Sequence, residues 1–265
     1  MKAIVCVKEV LETPEGVRVT EKGSLAARDD ASFLIDPIGP YAIETALQLR
    51  DKKGGSVVVL CVGSRRAEKI LKESAFAVGA DEAFLLADPA LDGGDPHATA
   101  RALAAAVEKV GGADLVLCGD RAADDNAAVV GPALGRLLGF PVLGFVGEVI
   151  DCDPDARKIR VARALEAGKE IVESSLPAVV TVIKGIYPPR YPSLLGIRKA
   201  AKREVPVWTA ADLGLDPAKT GADGSPTKVR KLTPPSPPGA VQMIPGEPEE
   251  MADALVKKIL DAKIL

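Results

Sequence analysis

A chain of 265 residues, 47% hydrophobic but only 3% aromatic, is long enough for one large core with an appendage. Its 34 basic and 37 acidic residues leave a net charge of −3, which excludes bulk attraction to nucleic acid. No apolar run approaches the roughly 20 residues of a bilayer span, and Lys2 precedes only five apolar or small residues, so neither membrane insertion nor a secretory leader is expected.

Through about residue 140 the chain alternates strand and helix signals. Ala3-Ile-Val-Cys-Val7 reads as a buried strand, and Pro40 to Lys53 as a helix ended by Gly54-Gly55. Ser56 to Val62 is a second uncharged strand, followed by a helix over Arg65 to Val78 that stops at Gly79. Glu82 to Ala87 is a third strand. Asp95-Pro96 then offers a cap and a first-turn proline for a helix reaching about Val110. Asp114 to Cys118 is a fourth strand and Asp124 to Leu138 another helix. Buried strands alternating with helices predict an α/β fold with a doubly wound, mostly parallel sheet.

The rhythm then breaks. Val146 to Ile150, Lys158 to Arg163 and Lys169 to Glu173 predict a small antiparallel insertion around the turn Asp153-Pro154-Asp155, before Ala178 to Ile183 returns to buried-strand character. Gly185 to Lys202 follows, reading GIYPPRYPSLLGIRKAAK. Its prolines oppose sheet or helix, so a stiff loop is expected, with Leu194 and Leu195 ahead of Arg198, Lys199, Lys202 and Arg203. Two readings stand for it: a surface built for another protein, or a crossover whose leucines cover the core. Thr209 to Asp212 suggests a short capped helix. Residues 214 to 246, including Pro234-Pro-Ser-Pro-Pro238, read as an arm or linker. Glu247 to Leu265 is an amphipathic helix with Met251, Leu255, Ile259, Leu260 and Ile264 on one face. It needs a surface to cover, either its own sheet or a partner.

Ligands of an open α/β sheet bind beyond the carboxyl ends of the strands. After the fourth strand, Gly119 permits a sharp turn, the amides of Asn126 to Val130 fall where a helix begins, and Gly131 and Gly135 permit close approach. Such a helix start suits a phosphate, although Asp124 and Asp125 are also ordinary caps for the same amides. No GxGxxG or Walker A run is present. Catalytic groupings are thin. The single histidine, His97, sits in a first helical turn, and no serine lies in a GxSxG elbow. Cys6, Cys61, Cys118 and Cys152 are far apart with no CxxC pair. They read as buried free thiols of a reducing compartment, hence a cytoplasmic location. Any redox chemistry would come from a cofactor or partner, so the chain is not expected to be an enzyme by itself. The competing class is an independent small-molecule enzyme or nucleotide sensor on the same fold.

In order and spacing, several segments together resemble the β subunits of electron transfer flavoproteins. They are Val5-Cys-Val-Lys8-Glu-Val10, Ile35-Asp36-Pro37 with Glu44-Thr-Ala46, and Gly79-Ala-Asp81. Gly119-Asp-Arg121-Ala-Ala-Asp124 with Gly131-Pro132 resembles the family's nucleotide segment. Val161-Ala-Arg163, Glu166 and Leu176-Pro-Ala-Val-Val-Thr181 resemble its signature. Arg190-Tyr191, Ser193-Leu194, Ile197 and Lys199-Ala200 resemble its recognition loop.

The resemblance implies a Rossmann-like, adenine-nucleotide-binding domain over residues 1–189, a recognition loop over 190–204, and an arm and helix over 205–265 that pack on an α subunit. In such heterodimers the α subunit holds the redox FAD. The β subunit commonly binds AMP, or in a subset a second FAD with which electron pairs are split. It accepts electrons from acyl-CoA and other flavin dehydrogenases and passes them to a membrane quinone oxidoreductase. Carried over, Cys6, Asp36 and Val62 would lie by the adenosine. Gly119, Asp124, Ala127, Ala128, Val129, Val130 and Gly131 would form the nucleotide segment, and Leu194 would dock partners, framed by Arg190, Lys199 and Lys202. The chain departs from the family at Asp36, Arg121 and Ala167, in place of Asn, Gln and an acid. Thr13 and Ile38 stand where some relatives have an aromatic near the flavin. Arg121 is expected either to strengthen anion binding or to pair with Asp124.

Overall fold

The computed structural model describes residues 1–13, 17–20, 25–232 and 241–264. The chain divides into two units, Met1–Arg18 with Leu25–Arg230 and Val19–Ser24 with Lys231–Leu265.

The apolar run at the N-terminus forms β1 (Lys2–Val7), followed by β2 (Glu9–Leu11), β3 (Val17–Val19), β4 (Leu25–Ala27) and β5 (Phe33–Ile35). Helix α1 (Gly39–Lys53) leads to β6 (Ser56–Val62), and α2 (Ala67–Ser74) to β7 (Glu82–Leu86). Then come α3 (Pro96–Lys109), β8 (Leu115–Gly119), α4 (Val130–Leu138), β9 (Val142–Asp153), β10 (Lys158–Leu165), β11 (Gly168–Ser175) and β12 (Ala178–Val182). The last elements are α5 (Leu194–Ala201), β13 (Val207–Trp208) and α6 (Pro248–Asp261).

Among the described residues, nine strands form the main sheet in the order β11-β10-β9-β12-β8-β1-β6-β7-β13. From β9 through β13 all neighbours run parallel, and β1 pairs with β6 on one side and β8 on the other. The central strands carry uncharged, β-branched sequence because both their faces are covered. One face packs Ala3, Val5, Val57, Val59, Leu115 and Leu117 under apolar residues of α1 and α2 such as Leu47 and Leu71. The other packs Ile4, Val58, Leu60 and Val116 under Leu103 of α3 and Leu134 of α4. The doubly wound parallel α/β fold is therefore as predicted.

Several local expectations change. The antiparallel strands form as predicted but join the main sheet: β9 is parallel to β12 through Val142 to Val146, then runs on to pair antiparallel with β10. The helix expected over Arg65 to Val78 covers only Ala67–Ser74, and a 3-10 turn at Phe76–Val78 follows. Thr209 to Asp212 is a turn, in which the Asp212 carboxylate accepts from the Thr209 amide at 2.8 Å. The Pro/Gly-rich stretch is not all arm. Ser225 is buried, and its hydroxyl donates to the Gly221 carbonyl at 2.7 Å and accepts from the Asp95 amide at 2.8 Å. Pro234 to Pro238 and Leu265 lie outside the described residues. In α6, Met251, Leu255 and Leu260 are exposed, as is Ile264 just beyond its end. No helix among the described residues is long and apolar enough to cross a membrane.

Candidate functional site

Connections from β1 to β6 and from β7 back to β8 diverge on either side of β1, making the crevice between the carboxyl ends of β1 and β8 a topological switch point. A cavity of about 290 Å³ lies there, near the lower end of the roughly 300–1,000 Å³ usual for small-molecule pockets. Cys6 and Cys118 are register partners on β1 and β8 and both line it. Val62, Gly63 and Ser64 contribute from the end of β6, and Asp36 and Gly39 from the approach to α1. Gly119 through Ala122 and Ala127 through Gly131 close the wall after β8, opposite Leu91 through Gly94, Pro96 and Thr99.

The segment after β8 departs from its predicted form. Helix α4 begins at Val130, not Asp124, because Asn126 at φ 52° and Ala128 at φ 56° are left-handed and interrupt any helix. Asp124 and Asp125 consequently do not cap it. Lys8 Nζ is 2.7 Å from Asp124 and 3.3 Å from Asp125, and Asp125 also accepts from the Ala127 amide at 3.0 Å. Val129, the actual N-cap, makes no side-chain cap bond. Left-handed Ala128 followed by right-handed Val129 is the kind of backbone that turns consecutive amides toward one side at the start of α4. Pro132 in the first turn has no amide to offer. A Cβ on Gly131 would come within 2.3 Å of Thr181 Cγ2 and 3.2 Å of Cys118 Sγ, so glycine lets α4 start hard against the sheet.

Asp36 is buried and holds two loops together. One carboxylate oxygen accepts from the Ile38 amide at 2.9 Å, the other from the Ala123 amide at 2.6 Å. Arg121 pairs with the buried carboxylate of Asp120 at 2.7 Å instead of with Asp124. Burial pushes the Cys6 thiol well above its ordinary value, with Cys118 and Cys61 nearby adding to the effect. Cys118 is pushed up to about 12 by burial and then by Asp120, and Cys61 to about 12 chiefly by burial. All four cysteines are free and buried, so the two thiols of the cavity are uncharged walls and not nucleophiles. His97 is half-buried, with its Nδ1 3.4 Å from an Arg101 guanidinium nitrogen. Among the described residues, no cluster of His, Cys, Asp and Glu is arranged to hold a metal.

Cys6, Asp36, Val62, Gly119 and Ala127 through Gly131 therefore share one cavity, whereas Asp124 stands beside it, paired to Lys8. Sequence reasoning missed Lys8 and Ser64 as wall residues, together with Leu91 through Gly94. Gly93-Gly94 after the third predicted strand and Lys8 in the opening motif were the available signals. Arg190, Leu194, Lys199 and Lys202 lie in or next to α5, away from the cavity lining. The expected loop contains this eight-residue helix, capped by the Ser193 hydroxyl, which accepts from the Gly196 amide at 3.0 Å. Leu194 is 81% exposed, which removes the reading in which it covers the core. Lys199 and Lys202 are also exposed. Arg190 is already engaged with Glu44 at 2.7 Å and Asp51 at 3.0 Å.

Comparison with known proteins adds the family. Residues 25–213 match the electron transfer flavoprotein domain. The chain is 40% identical over 260 residues to the electron transfer flavoprotein subunit beta of Thermoanaerobacterium thermosaccharolyticum, covering 98% of each chain. It is 37% identical over 268 residues to the caffeyl-CoA reductase-Etf complex subunit CarD of Acetobacterium woodii, covering 100% of both. With protein FixA of Azotobacter vinelandii it shares 32% identity over 267 residues, covering 98% of this chain and 94% of that one. A match of this extent places the chain in the electron transfer flavoprotein family as a β subunit.

Proposed function

We propose that this chain is the β half of an electron-carrying heterodimer, binds AMP in the cavity between β1 and β8, and docks dehydrogenases through Leu194. The observation that carries the nucleotide reading is the uncapped start of α4 facing that cavity. Its amides donate to a phosphate with no metal or side-chain cation required. The uncharged walls at Cys6, Val62 and Cys118 suit the apolar faces of an adenosine. In this reading residues 1–189 form the nucleotide domain, 190–204 the recognition element and 205–265 the arm and helix that meet the α subunit.

The FAD, held mainly by the α subunit, supplies the redox chemistry. This chain's own part is to hold the structural nucleotide, bind the α subunit and present α5 to electron donors such as acyl-CoA dehydrogenases. A membrane quinone oxidoreductase is the acceptor, and the cytoplasm is the proposed location. The likeness to a subunit of a caffeyl-CoA reductase complex supports a partner acting on CoA esters.

A second reading puts a second FAD in the cavity. It is favoured by the cavity's span, which runs from Asp36 and Gly39 across the switch point to Gly94, Pro96 and Thr99. Purifying the heterodimer and releasing its nucleotides separates the two: one FAD and one AMP support the shuttle, while two FAD support the second reading. A colourless chain with neither partner nor nucleotide would sink both.

A further inference from the structure

Glu44, a motif residue with no assigned role, meets Arg190, expected only as a charge framing Leu194, across 146 residues of chain. Glu44 sits on the buried face of α1 beside Ile43, Thr45 and Leu47, and only 5% of it is exposed. A carboxylate there is costly unless fully paired. Its Oε2 accepts from Arg190 Nε at 2.7 Å and from the Arg190 backbone amide at 3.2 Å. Its Oε1 accepts from Arg190 Nη2 at 3.2 Å and Gln48 Nε2 at 3.1 Å. Arg190 Nη2 also reaches Asp51 at 3.0 Å. The fork thus fixes both the side chain and the main chain of Arg190.

On either side of Arg190 the segment has little freedom. Pro188, Pro189 and Pro192 lock three of its φ angles. Helix α5 is seated at Gly196, where a Cβ would come within 2.4 Å of the Ala77 carbonyl oxygen, and at buried Ala200. Between these two anchors stand the most exposed large residues of the segment, Tyr191 at 95% and Leu194 at 81%. We propose that Glu44 and Arg190 are positioning residues: their fork sets the direction from which the chain enters α5, and so the place at which Leu194 meets a partner. The inference rests on the docking role proposed for Leu194.

The test uses the FAD-loaded heterodimer and an acyl-CoA dehydrogenase reduced with its acyl-CoA. The double variant Glu44→Gln/Arg190→Met removes the fork without stranding a buried charge, Arg190→Lys keeps the charge but loses the fork, and Leu194→Ala is the reference. The double variant is expected to raise KM for the heterodimer about tenfold, a typical anchor-sized effect, with kcat changed less than about twofold. Arg190→Lys is expected to fall between it and the wild type. FAD content should be unchanged, and hydrogen exchange of amides 190–197 should quicken. If Leu194→Ala impairs transfer while the double variant lowers only the melting temperature and leaves KM unchanged, the pair is structural and the proposal is overturned. Should Leu194→Ala itself leave KM unchanged, the docking reading fails and takes the positioning role with it.

Discussion

Leu194 and Cys118 are both apolar in character, yet the chain uses them in opposite ways. Leu194 stands in solvent at the first position of α5, where a side chain contributes nothing to the core. Leu194→Ala is accordingly expected to leave flavin content and melting temperature unchanged. Electron transfer from dehydrogenases, followed by stopped-flow bleaching, should be lost or slowed at least about tenfold, as for an interface anchor. Intact transfer would remove α5 from the docking surface. Cys118 and Cys6 carry thiols held protonated by burial, Cys118 up to about 12. Neither is expected to react with a thiol reagent at pH 8 in the native protein, whereas all four cysteines should react in denaturant. Rapid native labelling at these positions would contradict the closed walls of the cavity. Gly131 is tested by a single methyl. That methyl would stand only 2.3 Å from Thr181 Cγ2, on a central strand with no room to yield. Gly131→Ala should therefore cost about 1–3 kcal/mol in chemical denaturation and weaken nucleotide retention.

At the scale of elements, helix starts separate what sequence shows from what it hides. Asp95-Pro96 was legible because cap and first-turn proline are adjacent in the chain, and Asp95 indeed accepts from the Ala98 amide at 2.9 Å. Its second carboxylate oxygen also takes the amide and hydroxyl of Thr227, at 3.0 and 2.7 Å. A bond across 132 residues has no local signal. Burial alone would raise this carboxyl, but the hydrogen bonds from Ala98 and Thr227, with a further one from His97, outweigh it and hold Asp95 below the usual carboxylate range. Its contribution is thus complete above the unfolded value of about 3.9 and drains away as pH falls through the lower folded value. Asp95→Ala is expected to cost about 1–2 kcal/mol at pH 7, with the gap to wild type closing in acid. A gap that widened in acid would refute the cap. The start of α4 is hidden for a different reason. Asn126 and Ala128 adopt left-handed backbone without being glycine, so residue type does not announce the break. In α5 the nearby prolines argue for a loop, but Pro192 lies just before the Ser193 cap, where it does not interrupt the helix.

For the whole molecule, the buried strands and the doubly wound parallel sheet were readable because β1, β6, β8 and β12 are continuous apolar runs, closed to water on both sides. The passage of β9 from a parallel to an antiparallel neighbour was not readable, since a strand's partners leave little trace in its own residues. The cavity draws its walls from segments far apart in the chain and so links ligand to global stability. Adding AMP to the nucleotide-free heterodimer should raise its stability by about 2.7 kcal/mol at a concentration about 100 times Kd. Calorimetry would show this as a rising melting temperature, and no shift at millimolar AMP would count against a nucleotide in the cavity.

The central place of β1 also constrains how the chain is made. Once residue 62 leaves the ribosome, β6 can join one side of β1, but the other side must wait for Leu115–Gly119. Until then an apolar strand edge stays open, a state prone to adhering to other chains. The proposed nucleotide could not shorten that wait, because Cys118 and the α4 start that complete the cavity emerge only as or after the edge closes. A ligand bound in that cavity would thus secure a finished sheet and not template it.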